Sequence, residues 1–161
     1  LVDGFKTLLP GFEHAFSCGS DQEIQIRETM RIQGEYTLTE EDVTQHRNFR
    51  DSIALGGYFI DIHSSTSDAG DWRRTEGHYG IPYRSLIQKD LHGVITVGRC
   101  ISGTKEASAS YRVMATVMAM GQAAGVAASL AIDNNTFPSD VNTDELRQIL
   151  VMQNCLVDVK A

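Results

Sequence analysis

The clearest hydrophobic pattern in the first third of the chain runs from residue 23 to residue 38. Apolar residues fall there on even positions: Ile24, Ile26, Met30, Ile32, Tyr36 and Leu38. A period of two is typical of a β-strand with one buried face, so the pattern predicts such a strand. Glu28 interrupts the apolar side, where either the strand bends or a carboxylate is buried against a partner. Gly34 is a second gap and marks a candidate bulge.

Two segments have the form of helix starts. Thr39-Glu40-Glu41-Asp42 is a Ser/Thr-x-x-acid capping box, which predicts a short helix to about Arg47. Thr143-Asp144-Glu145-Leu146 is interpreted as a second capping box that opens a short terminal helix to about Gln153.

The middle of the chain predicts extended structure around a polar loop. Gly56-Gly57 breaks the chain before an alternating stretch at 58–63, and residues 64–78 form the predicted loop. Residues 79–87 resume extended structure, although Pro82 cannot donate to a strand ladder and indicates an edge or irregular strand.

A continuous apolar run at Val94–Val97 is followed by a glycine turn and a long apolar helix. The run predicts a strand covered on both faces, as in a parallel sheet. The helix is predicted at 114–131 and stops at Asp133-Asn134-Asn135. A strand, a glycine turn and the start of a buried helix, in this order, are how an α/β protein points backbone N–H groups at an anionic cofactor.

The predicted helix at 114–131 has two interpretations. Residues 113–132 are long enough to cross a bilayer, and Gly121 and Gly125 have the spacing of packed membrane helices. However, alanine and glycine dominate, Gln122 is central, and no aromatic or basic belt flanks both ends. These features favour a helix in a soluble core, where small side chains allow another backbone or a flat ligand to approach closely.

Composition narrows the function classes. The 161 residues, 42% of them hydrophobic, suit one module. A formal charge of −7 and a pI near 5.1 argue against nucleic acid and an anionic membrane surface, and favour a small-molecule partner. Cys18, Cys100 and Cys155 have no disulfide or zinc spacing, and His78 and His92 have no ligand spacing, so no metal site is predicted.

The start of the chain has no signal-peptide pattern and resembles the interior of a longer polypeptide. We therefore expect a fragment of a longer protein, and the sequence assigns no cellular compartment.

Seven segments resemble the C-terminal part of bacterial FAD-dependent oxidoreductases, flavoproteins that share their nucleotide-binding fold with fumarate reductases. The segments are Arg27–Arg31 with Gly34–Thr39, Tyr79–Ile87, Val97–Ser102, Glu106-Ala107, and Arg112–Met114 with Gly121–Gly125. The resemblance implies an α/β fold in which residues 1–92 belong to a substrate-facing β domain. Residues 93–132 would then be the last strand and helix of a Rossmann-like FAD domain, and residues 133–161 a tail with a short helix.

The resemblance also implies the cofactor contacts. Gly98, Arg99, Ile101 and Ser102 would line FAD, while Val113, Met114 and Ala115 would offer backbone amides to the pyrimidine edge of the flavin. Relatives often have proline at the position of Ala115, so only the start of the helix is affected by this difference. Free amides and a positive helix end suit this edge, because reduced flavin accumulates negative charge around N1 and O2.

The chain contains no GxGxxG turn for the adenine half of an FAD site. We therefore expect the rest of the parent chain to supply that half, the isolated chain to bind FAD weakly or not at all and to be inactive, and its uncovered surfaces to self-associate.

The parent is expected to transfer hydride between a small organic substrate and flavin. Arg27 and Arg112 are candidates for orienting that substrate and His63 for an acid or base role, but the sequence identifies no definite catalytic base. The alternative is a non-enzymatic binding or assembly module in which the Ala/Gly helix serves only close packing.

Overall fold

The computed structural model describes residues 2–19, 26–28, 30–62, 71–73 and 76–158. Its helices are α1 (Val2–Leu8), α2 (Glu40–Thr44), α3 (Lys105–Tyr111), α4 (Met114–Asp133) and α5 (Thr143–Met152), with 3₁₀ turns at Tyr83–Ser85, Gly98–Cys100 and Pro138–Asp140. Its strands are β1 (Ser52–Gly56), β2 (Ile60–Ile62), β3 (Asp71–Arg73) and β4 (Tyr79–Pro82). The mixture of helix and strand agrees with the predicted α/β class at this coarse level.

The strands form two small antiparallel pairs. β1 pairs with β4, with Ser52 opposite Pro82 and Gly56 opposite Tyr79. β2 pairs with β3, with Ile60 opposite Arg73. β3 lies inside the segment that the sequence predicted to be a loop, so that prediction is wrong at 71–73. Residues 64–70, 74 and 75 of that predicted loop lie outside the described residues.

The predicted parallel strand at Val94–Val97 is wrong. Only Ile95 pairs there, as an isolated antiparallel bridge to Ile87. Val94 and Val97 are 42% and 37% exposed, so neither face of the segment is fully covered. The sequence pattern failed because a short apolar run does not by itself distinguish a strand from an irregular segment.

The strand predicted at 23–38 is also wrong for its described residues, 26–28 and 30–38. Gly34 and Leu38 make only isolated bridges, and the alternating positions Ile26 and Met30 are 61% and 85% exposed. The segment instead lies along neighbouring loops: the Ile32 amide donates to the Cys100 carbonyl at 2.9 Å.

Gly34 is explained by close approach and not by a bulge. A Cβ at this position would lie 2.7 Å from the Ser102 Cβ and 3.1 Å from the Ile87 carbonyl oxygen. Glu28, the interruption in the alternating pattern, forms an ion pair with Arg31. The contacts of Gly34 and Glu28 therefore explain why these two residues interrupt the apolar pattern, without a regular strand.

The first capping box is confirmed. The Thr39 hydroxyl accepts from the Asp42 amide, and the Asp42 carboxylate accepts from the Thr39 amide. The helix ends at Thr44, three residues before the predicted end. His46 follows with a φ of 55°, a left-handed conformation that ends the helix.

The second helix start is displaced by one residue. Asn142 is the N-cap of α5, and its side chain accepts from the amides of Asp144 and Glu145. The sequence assigned that role to Thr143, which is the first helical residue. Gln153 caps the other end of α5, as predicted.

Helix α4 confirms the predicted helix, but only one side of it is buried. Its buried residues pack against a core that includes β1 and α5: Thr116, Met120, Ala123, Ala127, Leu130 and Ala131. The opposite stripe is exposed and consists of Met114, Met118, Gly121, Gln122, Gly125, Ser129 and Ile132.

Within the described chain, α4 alone has the length and apolar composition to cross a membrane. One third of its most apolar stretch of 18 residues is buried inside the structure.

Helix α3 was not predicted. Thr104 is its N-cap and accepts from the Ala107 amide at 3.3 Å. Its five residues from Ala107 to Tyr111 are all buried. A seven-residue helix that buries its serines together with its alanines gives little amphipathic signal, so the signal that could have indicated it is the N-cap Thr104.

Candidate functional site

The glycine turn predicted to approach a cofactor lies beside the first turns of α4. Gly98 has a φ of 88°, a conformation that favours glycine, and it is buried. A Cβ built on Gly98 would lie 3.7 Å from the Val117 Cγ1. The structure therefore brings the turn and the start of α4 together, although α3 separates them in the chain.

The N-terminus of α4 presents backbone amides that no described side chain caps. Its N-cap is Val113, which cannot accept a hydrogen bond through its side chain. Met114 is 83% exposed, and Ala115 is also exposed. The first amides of a helix have no partner within the helix and carry partial positive charge. This set of donors suits an anionic or electron-rich group.

Ile101 and Ser102 lie deeper than a direct cofactor contact requires. Both are almost fully buried, at 0% and 1% exposure. The Ser102 hydroxyl lies 3.0 Å from the Thr37 hydroxyl, and the Ser102 amide donates to the Ser85 carbonyl at 2.9 Å. These two residues support the turn from behind, and their assignment to the cofactor stays a prediction.

Tyr111 fixes the same loop from the end of α3. Its hydroxyl donates to the Ile101 carbonyl at 3.1 Å. Burial raises the pKa of Tyr111 to about 12, so its hydroxyl keeps the proton that it donates. Gly103 permits this contact, because a Cβ there would lie 2.7 Å from the tyrosine Cε1.

Arg99 is exposed and binds the chain itself. Its Nη1 donates to the Ile26 carbonyl at 2.6 Å. The guanidinium thus attaches the N-terminal segment to the glycine turn.

Arg27 and Arg112 are the two residues predicted to orient a substrate. They are far apart in the sequence, but in the structure both lie beside Asp61. One guanidinium nitrogen of each lies 3.8 Å from the Asp61 Oδ2. Arg112 Nη2 also donates to the Asp61 carbonyl at 2.8 Å. Arg112 is 13% exposed at its side chain and Arg27 is 60% exposed, so Arg27 is the more accessible cation.

These three residues line a cavity of about 150 Å³, completed by Glu28, Ile62, Lys105 and Ala109. The volume is below the range of about 300–1,000 Å³ that is usual for small-molecule sites. Lys105 is a charged residue of this cavity that the sequence analysis did not connect with the arginines, because α3 was not predicted. Asp61 had a signal, since it lies on the alternating stretch at 58–63.

The third catalytic candidate, His63, lies outside the described residues. Among those described, no cluster of three histidine, cysteine or acidic side chains could hold a metal ion. Cys18 and Cys100 are exposed free thiols and Cys155 is partly buried.

The comparisons with known proteins give one match. No curated protein and no solved structure matches the chain. Residues 1–150 match the protein family described as FAD dependent oxidoreductase. That match covers the glycine turn, the start of α4 and the cavity around Asp61. The chain therefore belongs to the FAD-dependent oxidoreductase family.

Proposed function

We propose that this chain forms the C-terminal part of an FAD-dependent oxidoreductase that transfers hydride between a small organic substrate and flavin. Family membership supports the flavin-linked redox chemistry. The observation that carries the placement is the uncapped N-terminus of α4 beside the Gly98 turn. The donors there fit the electron-rich pyrimidine edge of a flavin.

The chain's own residues contribute binding and electrostatics. When bound, FAD supplies the hydride chemistry. The amides at Val113, Met114 and Ala115 and the positive end of α4 favour negative charge at the helix start. Gly98 and Arg99 form the turn at this end, and the buried Ile101 and Ser102 keep it in place.

Arg27 and Arg112 are proposed to orient the substrate from the cavity around Asp61. Asp61 offsets part of their positive charge, so Arg27 and Lys105, the exposed cations, would make the first contact with an anionic group. Arg112, held by the Asp61 carbonyl, would set the orientation of that group.

The proposal also assigns each segment of the chain to a part of the protein. Residues 1–92 would contribute to a substrate-facing domain, 93–132 to the FAD domain and 133–161 to a tail. The adenine half of the FAD site would come from the rest of the parent chain. One clustered core nevertheless joins β1 to α4 in the described structure, so the two portions pack directly on each other.

The test is the visible spectrum of the full natural gene product, with Gly98→Ala compared with Gly93→Ala. Both glycines have a positive φ, 88° and 83°, so alanine strains both backbones alike. Only Gly98 is packed near α4, whereas a Cβ at Gly93 has nothing within 4 Å. We expect flavin absorption in the natural protein, its loss or marked reduction in Gly98→Ala, and its retention in Gly93→Ala.

A folded natural protein without flavin absorption would reject the function. Equal flavin content in the two glycine variants would reject the placement of the cofactor at this turn and would favour the packing interpretation of α4.

A further inference from the structure

A second cavity lies on the other side of the first turns of α4. Its volume is about 350 Å³, within the usual range for small-molecule sites. Strand β1, the residue before β4, helix α4 and the segment after α5 line it, through Ile53, Leu55, His78, Ala115, Thr116, Ala119, Gln122, Gln153, Asn154, Cys155 and Leu156. It shares no lining residue with the cavity around Asp61.

The lining contains no aspartate, glutamate, lysine or arginine. Three other cavities of the described chain each carry charges of both signs, such as Arg27 with Asp61 or Arg147 with Asp158. A charged ligand would lose water here without gaining a counter-ion, which is costly. The cavity therefore favours an uncharged ligand.

Five uncharged polar side chains stand among the apolar walls: His78, Thr116, Gln122, Gln153 and Asn154. His78 is exposed, and its ring packs over Gly57, where a Cβ would lie 2.8 Å from the imidazole Cδ2. Gly57 thus permits the ring to lie at this position. Gln122 and Gln153 already bond to each other at 2.9 Å and close another part of the wall. Apolar walls combined with placed polar groups are the usual composition of a small-molecule site.

We propose that this cavity binds an uncharged small molecule that carries one hydroxyl or carbonyl group, with the His78 imidazole as its hydrogen-bond partner. Imidazole can donate to a carbonyl and can donate to or accept from a hydroxyl. The aliphatic side chains of Ile53, Leu55 and Ala119 cover the apolar body of the ligand. The proposal does not depend on flavin.

The test is calorimetric titration of the full natural gene product with benzyl alcohol, and with benzoate as the charged counterpart on the same ring. We expect benzyl alcohol to bind at least tenfold more tightly than benzoate. Ala119→Leu fills the cavity from α4 and should weaken binding of benzyl alcohol at least tenfold. Ala128→Leu makes the same change on the same helix away from the cavity and should leave the affinity unchanged.

His78→Phe gives a second measurement at an exposed position, where folding is least at risk. Loss of one hydrogen bond should weaken benzyl alcohol about three- to tenfold while the apolar contacts remain. The proposal is overturned by the absence of binding heat, by equal affinity for benzoate, or by wild-type affinity in either Ala119→Leu or His78→Phe. None of these outcomes alters the flavin spectrum on which the proposed function is tested.

Discussion

At the scale of single residues, the best-defined polar cluster surrounds the buried carboxylate of Asp42. Its oxygens accept from the Tyr36 hydroxyl at 2.8 Å, from the Thr39 amide at 2.9 Å and from an Arg47 nitrogen at 3.0 Å. Burial opposes ionisation of Asp42, but these hydrogen bonds outweigh it and hold its pKa below the ordinary value. For Tyr36, burial and the bond to Asp42 raise the pKa to about 12.

The Asp42 cluster predicts an acid-sensitive contribution to stability. A carboxyl group whose pKa is lower in the folded than in the unfolded state stabilises the fold above its unfolded pKa, and this contribution disappears as the pH falls through the folded pKa. We expect Asp42→Asn to lower the free energy of unfolding by about 1–2 kcal/mol at pH 7. The deficit should shrink below about pH 4.

Denaturant unfolding at pH 7 and at lower pH measures this effect. Asp90→Asn, a change at an exposed turn residue with a φ of 61°, is the control and should give no comparable deficit. A deficit in Asp42→Asn that stays constant down to pH 2 would contradict the assignment.

At the scale of elements, helix ends were more predictable than strands. The capping box at Thr39 is a local signal, carried by side chains that bond to the adjacent backbone. The stop after Asp133 is local as well, because Asn135 has a left-handed φ of 50° there. The alternation at 23–38 and the apolar run at Val94–Val97 are not local in this way, because a strand forms only where a distant partner is aligned. Neither segment has more than isolated bridges in the described structure.

The candidate site shows the same difference between features set by neighbouring residues and contacts between segments that are distant in the sequence. The glycine turn at Gly98 and the start of α4 could each be predicted, because their signals lie within a few neighbouring residues. The meeting of Arg27 with Arg112 at Asp61 could not, since it depends on how β2 and α3 pack together. The role now proposed for His78 was missed because a single histidine in a predicted loop has no pattern.

The displaced cap of α5 gives a matched prediction. Asn142 supplies the oxygen that accepts two amides, whereas Thr143 is the first helical residue. We expect Asn142→Ala to lower the free energy of unfolding by about 1 kcal/mol, and Thr143→Ala to change it by only a few tenths of that value. Thermal or denaturant unfolding of both variants measures this difference. A larger loss in Thr143→Ala would restore the capping role that the sequence assigned to it.

At the scale of the whole molecule, apolar surface is left uncovered. Besides the α4 stripe, α1 and the segment after it expose Phe5, Leu8, Leu9, Phe12 and Phe16. Self-association of the chain by itself remains a prediction, which light scattering measures as a mass above 17.7 kDa.

The exposed methionines of α4 allow a chemical test of whether this side of the helix is covered by protein. Met114 and Met118 are 83% and 73% exposed, and Met152 on α5 is 73% exposed. Hydrogen peroxide transfers one oxygen to an accessible thioether, giving a sulfoxide and water. If the natural gene product covers this side of α4, peptide mass spectrometry after a brief peroxide pulse should find Met152 oxidised and Met114 and Met118 spared. Equal oxidation of all three would mean that this side of the helix faces solvent in the natural protein.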